Sequence, residues 1–183
     1  MNPTLYFLRS SEQKIVTDML SYAVRLDEAG KSLDDFPNLR VYDRHYGLTH
    51  RDLGLYALAG HELAGAAWIR QLKESDAAEG YVDAATPVLM IAVKPAFRKR
   101  GIGRAMLEQL LLEAGALYER ISVSVVPGSP AALLAESAGF EAVAGSEKVS
   151  AVDGSESVTM VKVLSREEIK RPSEGYDPTY WMD

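Results

Sequence analysis

Pro87-Val88-Leu89-Met90-Ile91-Ala92-Val93-Lys94-Pro95-Ala96-Phe97-Arg98-Lys99-Arg100-Gly101-Ile102-Gly103-Arg104-Ala105-Met106-Leu107 is an apolar run, a basic turn with two glycines and the opening of a helix. Residues 87–93, bounded by Pro87 and Pro95, read as a strand buried on both faces at the centre of a sheet. Met106, Leu107, Leu110, Leu111, Ala114 and Leu117 recur at helical spacing and predict a helix running to about Tyr118. The turn between them falls where a helix leaves backbone N–H groups without partners and its dipole places partial positive charge. Such a turn binds phosphate. Gly101 and Gly103 let the backbone close around oxyanions, and Arg98, Lys99, Arg100 and Arg104 add charge-assisted donors. By itself the segment also admits conformational glycines and solvated cations.

Outward from this stretch, Leu5 to Leu8 read as a first strand. Residues 11–29 read as an amphipathic helix carrying Ile15, Val16, Met19, Leu20, Ala23 and Leu26, closed by Gly30. Lys31 to Leu53 reads as a short helix and loops. Leu53 to Ala59, the turn Gly60-His61-Glu62 and Leu63 to Leu72 form a β-hairpin, and the polar Lys73 to Ala85 an exposed loop. Ile121, Val123 and Val125 alternate with serines as in a strand. Ser129-Pro130 starts a short helix that Gly139 ends. Phe140 to Val143 and Val158 to Leu164 complete the strands. The order predicts a mixed sheet with helices packed on it, an α/β (α+β) fold.

The length of 183 residues suits one domain, with 47% apolar and 25% charged residues. Residues 1–164 are expected to form it. The charged tail 165–183, with Tyr176, Tyr180 and Trp181, either extends freely or docks on the body or on a second protomer, so a homodimer is among the expected partners. The absence of cysteine excludes disulfides, a thiolate nucleophile and cysteine-ligated zinc, and suits the cytoplasm. The apolar run at residues 5–8 is too short for a signal-peptide core, and no stretch approaches a membrane span, so no membrane partner is expected. A net charge of −6 argues against nucleic acid as a partner. Residues 84–107 nevertheless carry +5, leaving −11 for the remainder, and this local anion site is the first functional indication.

Two phosphate motifs fail here. A Walker A loop needs Gly-Lys-Ser/Thr, and a dinucleotide fingerprint needs a third glycine where Met106 stands. The segment from Ile91 to Leu107 instead resembles motif A of the GNAT superfamily of acyl-CoA-dependent N-acetyltransferases. Ala131, Leu134, Gly139 and Phe140 resemble its motif B, and Leu8-Arg9-Ser10 leads into the first helix as in that family. The resemblance spans about residues 4–164. It implies a mixed, mostly antiparallel sheet of six to seven strands with splayed central strands and about four flanking helices, in a single-domain protein of small bacterial type.

The resemblance further implies acetyl-CoA as cofactor and a primary amine of a small molecule or peptide as acceptor. The backbone of Ile91, Ala92 and Val93 would pair with the pantetheine arm, and the amides of Lys99, Arg100, Gly101, Ile102, Gly103 and Arg104 would hold the pyrophosphate, with Arg98 shaping the loop. An N–H near Val93 would stabilise the oxyanion during direct attack. Several family posts are empty: Gly128 stands for a cofactor-binding asparagine, Ala135 for a tyrosine acid, and Val123, Leu89 and Met90 for a glutamate base. His45, Tyr81 and Asp83 are the replacement candidates, with His50 and Ser137 behind them. The spacing of His45 and His50 does not suit a metal, and none is expected. Asp27 to Asp35 and Lys73 to Asp83 each sum to −3, which favours a cationic acceptor, while Arg40, Arg44 and Arg51 could receive a carboxylate. The rival readings are an acyl-CoA-binding regulatory or interaction module without turnover, and a dinucleotide-dependent enzyme.

Overall fold

A computed structural model describes residues 2–164, and the tail 165–183 with its predicted docking lies outside the described residues. Strands β1 (Thr4–Phe7), β2 (Leu53–Ala59), β3 (Glu62–Arg70), β4 (Val88–Val93), β5 (Arg120–Val125), β6 (Glu141–Ala142), β7 (Lys148–Val149) and β8 (Glu156–Val163) form one sheet in the order β1-β2-β3-β4-β5-β8-β6, with β7 on β8. Every pairing is antiparallel except β4 with β5. Helices α1 (Gln13–Ala23) and α2 (Leu26–Ala29) cover one face, and α3 (Ile102–Ala114) and α4 (Pro130–Ser137) the other.

The sheet thus has eight strands rather than six or seven. The extra ones come from a connection that β8 folds back on itself: Phe140 to Val143 reduces to the two-residue β6, and Lys148 and Val149 pair with Ser157 and Glu156. The expected single helix over 11–29 is broken at Arg25, which adopts a left-handed conformation (φ 61°) while its side chain reaches Asp153 (3.1 Å) and Ser155 (2.9 Å). The α3 helix stops at Ala114, and Tyr118 follows in a turn whose hydroxyl donates to Arg51 O. The segment 73–85, expected to be exposed, buries Ala78 and Gly80, because Gly80 crosses over β4 and β5 and its carbonyl accepts from Ser122 Oγ (2.6 Å).

Two apolar layers hold the sheet. One contains Met106, Leu107 and Leu110 of α3 against Leu55, Ala67, Leu89 and Ile121. The other sets Val16, Met19 and Leu20 of α1 against Ala66, Trp68, Val88 and Ala92. Trp68 is fully buried, and its indole N–H donates to Tyr42 O (2.8 Å), so the core also anchors the 3-10 turn Pro37–Tyr42. Small residues along β3, Ala64 to Ala67, let both layers approach. At Gly65 a Cβ would lie 2.7 Å from Ala92 O and 2.9 Å from Met106 Cε. Gly65→Ala should therefore cost about 1–3 kcal/mol, because the nearest atom is backbone that cannot turn aside. Urea denaturation of the variant checks this.

Candidate active site at the splayed strands

Strand β4 is paired along its whole length on the β3 side, from Val88 with Arg70 to Val93 with Gly65. On the other side it meets β5 only at Val88 with Ser122 and Leu89 with Val123, after which the strands part. The bonds on either edge fix which groups face the gap. Lys94 N–H donates to Ala64 O on the β3 side (2.8 Å), and Ser122 N–H donates to Pro87 O on the β5 side (3.0 Å). Because successive residues point to opposite edges, Ile91 and Val93 turn their N–H and C=O groups toward the gap. Met90, Ile91 and Val93 are accordingly only partly buried, where the apolar run predicted burial on both faces.

The gap leads to the basic turn. Arg98 folds back so that its Nε donates to Val93 O (3.0 Å), and its Nη1 lies 3.5 Å from Glu28 Oε1 on α2. Beyond it the chain alternates through left-handed conformations at Lys99 (φ 64°) and Gly101 (φ 79°), a concave arrangement of amides. The first helical bond of α3 runs from Ala105 N–H to Gly101 O, and none of the amides of residues 99–104 donates to a protein acceptor among the described residues. A Cβ on Gly101 would meet nothing within 4 Å, so glycine serves the conformation there. At Gly103 it would point at Leu134 Cδ2 (3.4 Å) and Val93 Cγ2 (3.6 Å), so glycine keeps space between α3, α4 and the gap. Arg98, Lys99, Arg100 and Arg104 are exposed around this concavity, and Arg100 stacks over Phe97 (5.6 Å).

The candidate proton-transfer residues separate. Tyr81 is half-buried in the apolar layer that includes Val88 and Met90, next to Gly80, whose Cβ position is 3.2 Å from Ser124 N. His45 is an exposed residue in a left-handed turn (φ 59°), lining a cleft with Arg44 and Lys73 that includes no residue of β4 or of the basic turn. His50 is exposed in the turn before β2. Ser137 donates to Leu134 O (2.7 Å) at the surface. Asp83 pairs with Arg120 on β5 and accepts from Ala85 N–H (2.9 Å). Burial alone would raise its pKa, but bonds from Thr86 and Ala85 and the Arg120 charge together hold it below the usual carboxylate value. Val123 and Ala135 are buried in the core, so nothing titratable stands at those posts. Glu28, the partner of Arg98, was legible only as loop charge because the two lie 70 positions apart.

Residues 52–142 match the family model described as the acetyltransferase (GNAT) domain. No curated protein matches the chain. Among solved structures, a GNAT-family acetyltransferase from Streptococcus pneumoniae superposes with a TM-score of 0.63 at 15% identity, over 90% of this chain and 100% of its own. A phosphinothricin acetyltransferase from Sinorhizobium meliloti, solved with acetyl-CoA, gives 0.62 at 18% identity over 97% of both chains. A spermidine/spermine N-acetyltransferase from Vibrio cholerae gives 0.57 at 15%, over 93% of this chain and 97% of that one.

Asp83 yields a stability prediction. Its pKa is lower folded than unfolded, so it stabilises the fold above the unfolded value, and this contribution is lost as pH falls through the folded one. Asp83→Asn should lower stability at neutral pH and flatten the loss of stability below about pH 4. Denaturant midpoints measured across the acid range check it.

Proposed function

This chain belongs to the GNAT acetyltransferases, and on that premise we propose that it transfers an acetyl group from acetyl-CoA to a primary amine of a small molecule or peptide by direct attack. The observation that carries the reading is the run of amides at 99–104 without protein acceptors, set beside a strand edge that the sheet leaves open. A diphosphate requires the first and an extended amide-bearing arm the second. Bound acetyl-CoA would supply an activated acyl group and a thiolate leaving group.

The residues divide the work. The amides of Lys99, Arg100, Gly101, Ile102, Gly103 and Arg104 hold the diphosphate, with the exposed cations adding charge-assisted bonds. The gap-facing edge at Ile91 and Val93, with Ala92 between them, aligns the arm. Arg98 occupies Val93 O, which leaves the Val93 N–H as the donor for charge developing on the thioester oxygen. Tyr81 is the proton donor to the departing thiolate. What supports this choice is that Tyr81 packs in the apolar layer holding Val88 and Met90 of β4, whereas Asp83 is engaged by Arg120 and His45 lines a separate cleft. A thiol with a reference pKa of about 8.5 leaves without obligatory full protonation, so this donor assists the step and is not indispensable.

Coenzyme A should raise the melting temperature, with about 2.7 kcal/mol of stabilisation at a hundredfold excess over its Kd, whereas NAD should not. Arg98→Ala should weaken that binding roughly tenfold through the freed Val93 carbonyl and disordered turn. Thermal-shift titration checks both. Tyr81→Phe should lower kcat by about 10²-fold with the KM for acetyl-CoA unchanged, read by thiol release over a panel of amines. Coenzyme A binding without turnover on any amine would instead identify a module that binds the thioester and does not react.

A further inference from the structure

A second concavity lies between the 3-10 turn Pro37–Tyr42, the turn that follows it, and the chain leaving β3, with a volume of about 540 Å³. This is the size of a small-ligand site. Its lining includes the charged Arg40, Arg44, Arg70, Lys73 and Asp76, with His45 beside them.

Two of these cations are fixed by buried carboxylates. Arg70 forks onto both oxygens of Asp52 (3.2 Å each), and it also donates to the carbonyls of Val41 and Arg44, clamping the backbone of that segment. Arg40 donates through Nε to the fully buried Asp43 (2.9 Å). That bond uses one edge of its guanidinium, and its two terminal nitrogens have no protein acceptor among the described residues. Arg44 N–H donates to Arg40 O (2.8 Å), so the two residues stand one turn apart along the backbone, and both line the cleft. Arg44 is exposed and its side chain makes no hydrogen bond among the described residues, and Lys73 is exposed across the cleft. Asp76, the one acid of the lining, turns an oxygen back onto Lys73 N–H (2.8 Å). The cleft therefore presents many unused donors and few acceptors, with its cations held together against their mutual repulsion by Asp43 and Asp52.

We propose that this cleft is an oxyanion site that takes a carboxylate- or phosphate-bearing small molecule, bound by the terminal nitrogens of Arg40 with Arg44 and Lys73. Planar guanidinium groups on two arginines lining one cleft suit the paired oxygens of such a group. The anion has two sources, a negatively charged group on the acceptor amine itself or a separate anionic ligand. The site stands apart from the basic turn at 98–104, and its existence does not depend on coenzyme A binding there.

The test is calorimetric titration at low salt with inorganic phosphate and with citrate. It uses a Lys99→Glu/Arg100→Glu background, so that the other anion-binding turn does not contribute whether or not that turn holds coenzyme A. Adding Arg44→Ala/Lys73→Ala should weaken anion binding at least tenfold, while Arg51→Ala, removing a cation that stacks on Tyr118 instead, should leave it unchanged. Among the described residues neither Arg44 nor Lys73 gives up an internal side-chain bond, so an unaltered melting curve accompanies the loss. Equal binding with and without the two cations, or no binding in the parent, overturns the proposal. Steady-state kinetics of the Arg44→Ala/Lys73→Ala protein then assign the source. A raised KM for amino acids but not for the corresponding decarboxylated amines places the anion on the acceptor, and unchanged KM values alongside lost phosphate binding place it on a separate ligand.

Discussion

Everything at this site depends on a strand that is hydrogen-bonded along one edge and left open beyond Leu89 along the other. Unpaired peptide groups inside a sheet are costly, and the ordinary outcome would be for β5 to close on β4. The chain prevents this by anchoring the two strands where they still meet. Ser122 Oγ donates to the Gly80 carbonyl, and Gly80 packs against Val88 and Ser124, so the loop before β4 locks the paired end. At the far end Arg98 bonds the gap-facing carbonyl of Val93, and Leu134 of α4 stands opposite Gly103. The opening is thus bounded at both ends by contacts that do not fill it.

The wall on the α1 face is held by long-range polar bonds rather than by apolar packing alone. Asp43, fully buried, accepts from Thr17 Oγ1 (2.7 Å) and Arg40, while Gln13 bridges Asp43 O and Tyr46 N–H, so α1 and the 37–46 segment are tied together. Burial pushes the Tyr42 and Tyr46 hydroxyls far above their ordinary pKa, which keeps both neutral. Tyr42 then donates to Glu79 O (3.0 Å) and ties the same segment to the loop carrying Tyr81. The α1–α2 corner is fastened separately to residues 152–155 by Arg25 and Lys31. Loops around the opening are consequently positioned by charged and hydroxyl groups, whose partners lie far away in sequence.

That separation explains what could be read in advance. The stretch from Ile91 to Leu107 was legible because strand, turn and helix follow one another without interruption, and because the glycines and cations sit in the turn itself. The hairpin of β2 and β3 was legible for the same local reason. Strand β7 was not, and the strand read over Phe140 to Val143 keeps only the two residues of β6, since such short segments carry no periodicity and their pairing is set by the fold-back onto β8. The break at Arg25 depends on Asp153 and Ser155, some 130 positions away, and no local breaker residue announces it. The polar composition of 73–85 pointed outward although Gly80 and Ala78 are buried, because small residues record close contact poorly in any hydrophobic pattern. The exposure of Ile91 and Val93 is the reverse case, an apolar run that is uncovered because its neighbour strand departs.

The same distinction bears on the chemistry. Holding a diphosphate and an extended arm calls on main-chain groups, so the sequence needs only the right backbone, and glycine, proline and strand register encode it compactly. Moving protons calls on a side chain placed from another part of the chain, and any loop reaching the opening can supply it. Val123 and Ala135 are buried and leave those two positions of β5 and α4 without a titratable side chain. A thioester tolerates that absence on the leaving side, because its thiolate departs with a reference pKa of about 8.5. An amine of pKa about 10.4 is neutral in only about one molecule in 2,500 at pH 7, so the stricter demand falls on the acceptor side. Acceptors of lower basicity relax that demand.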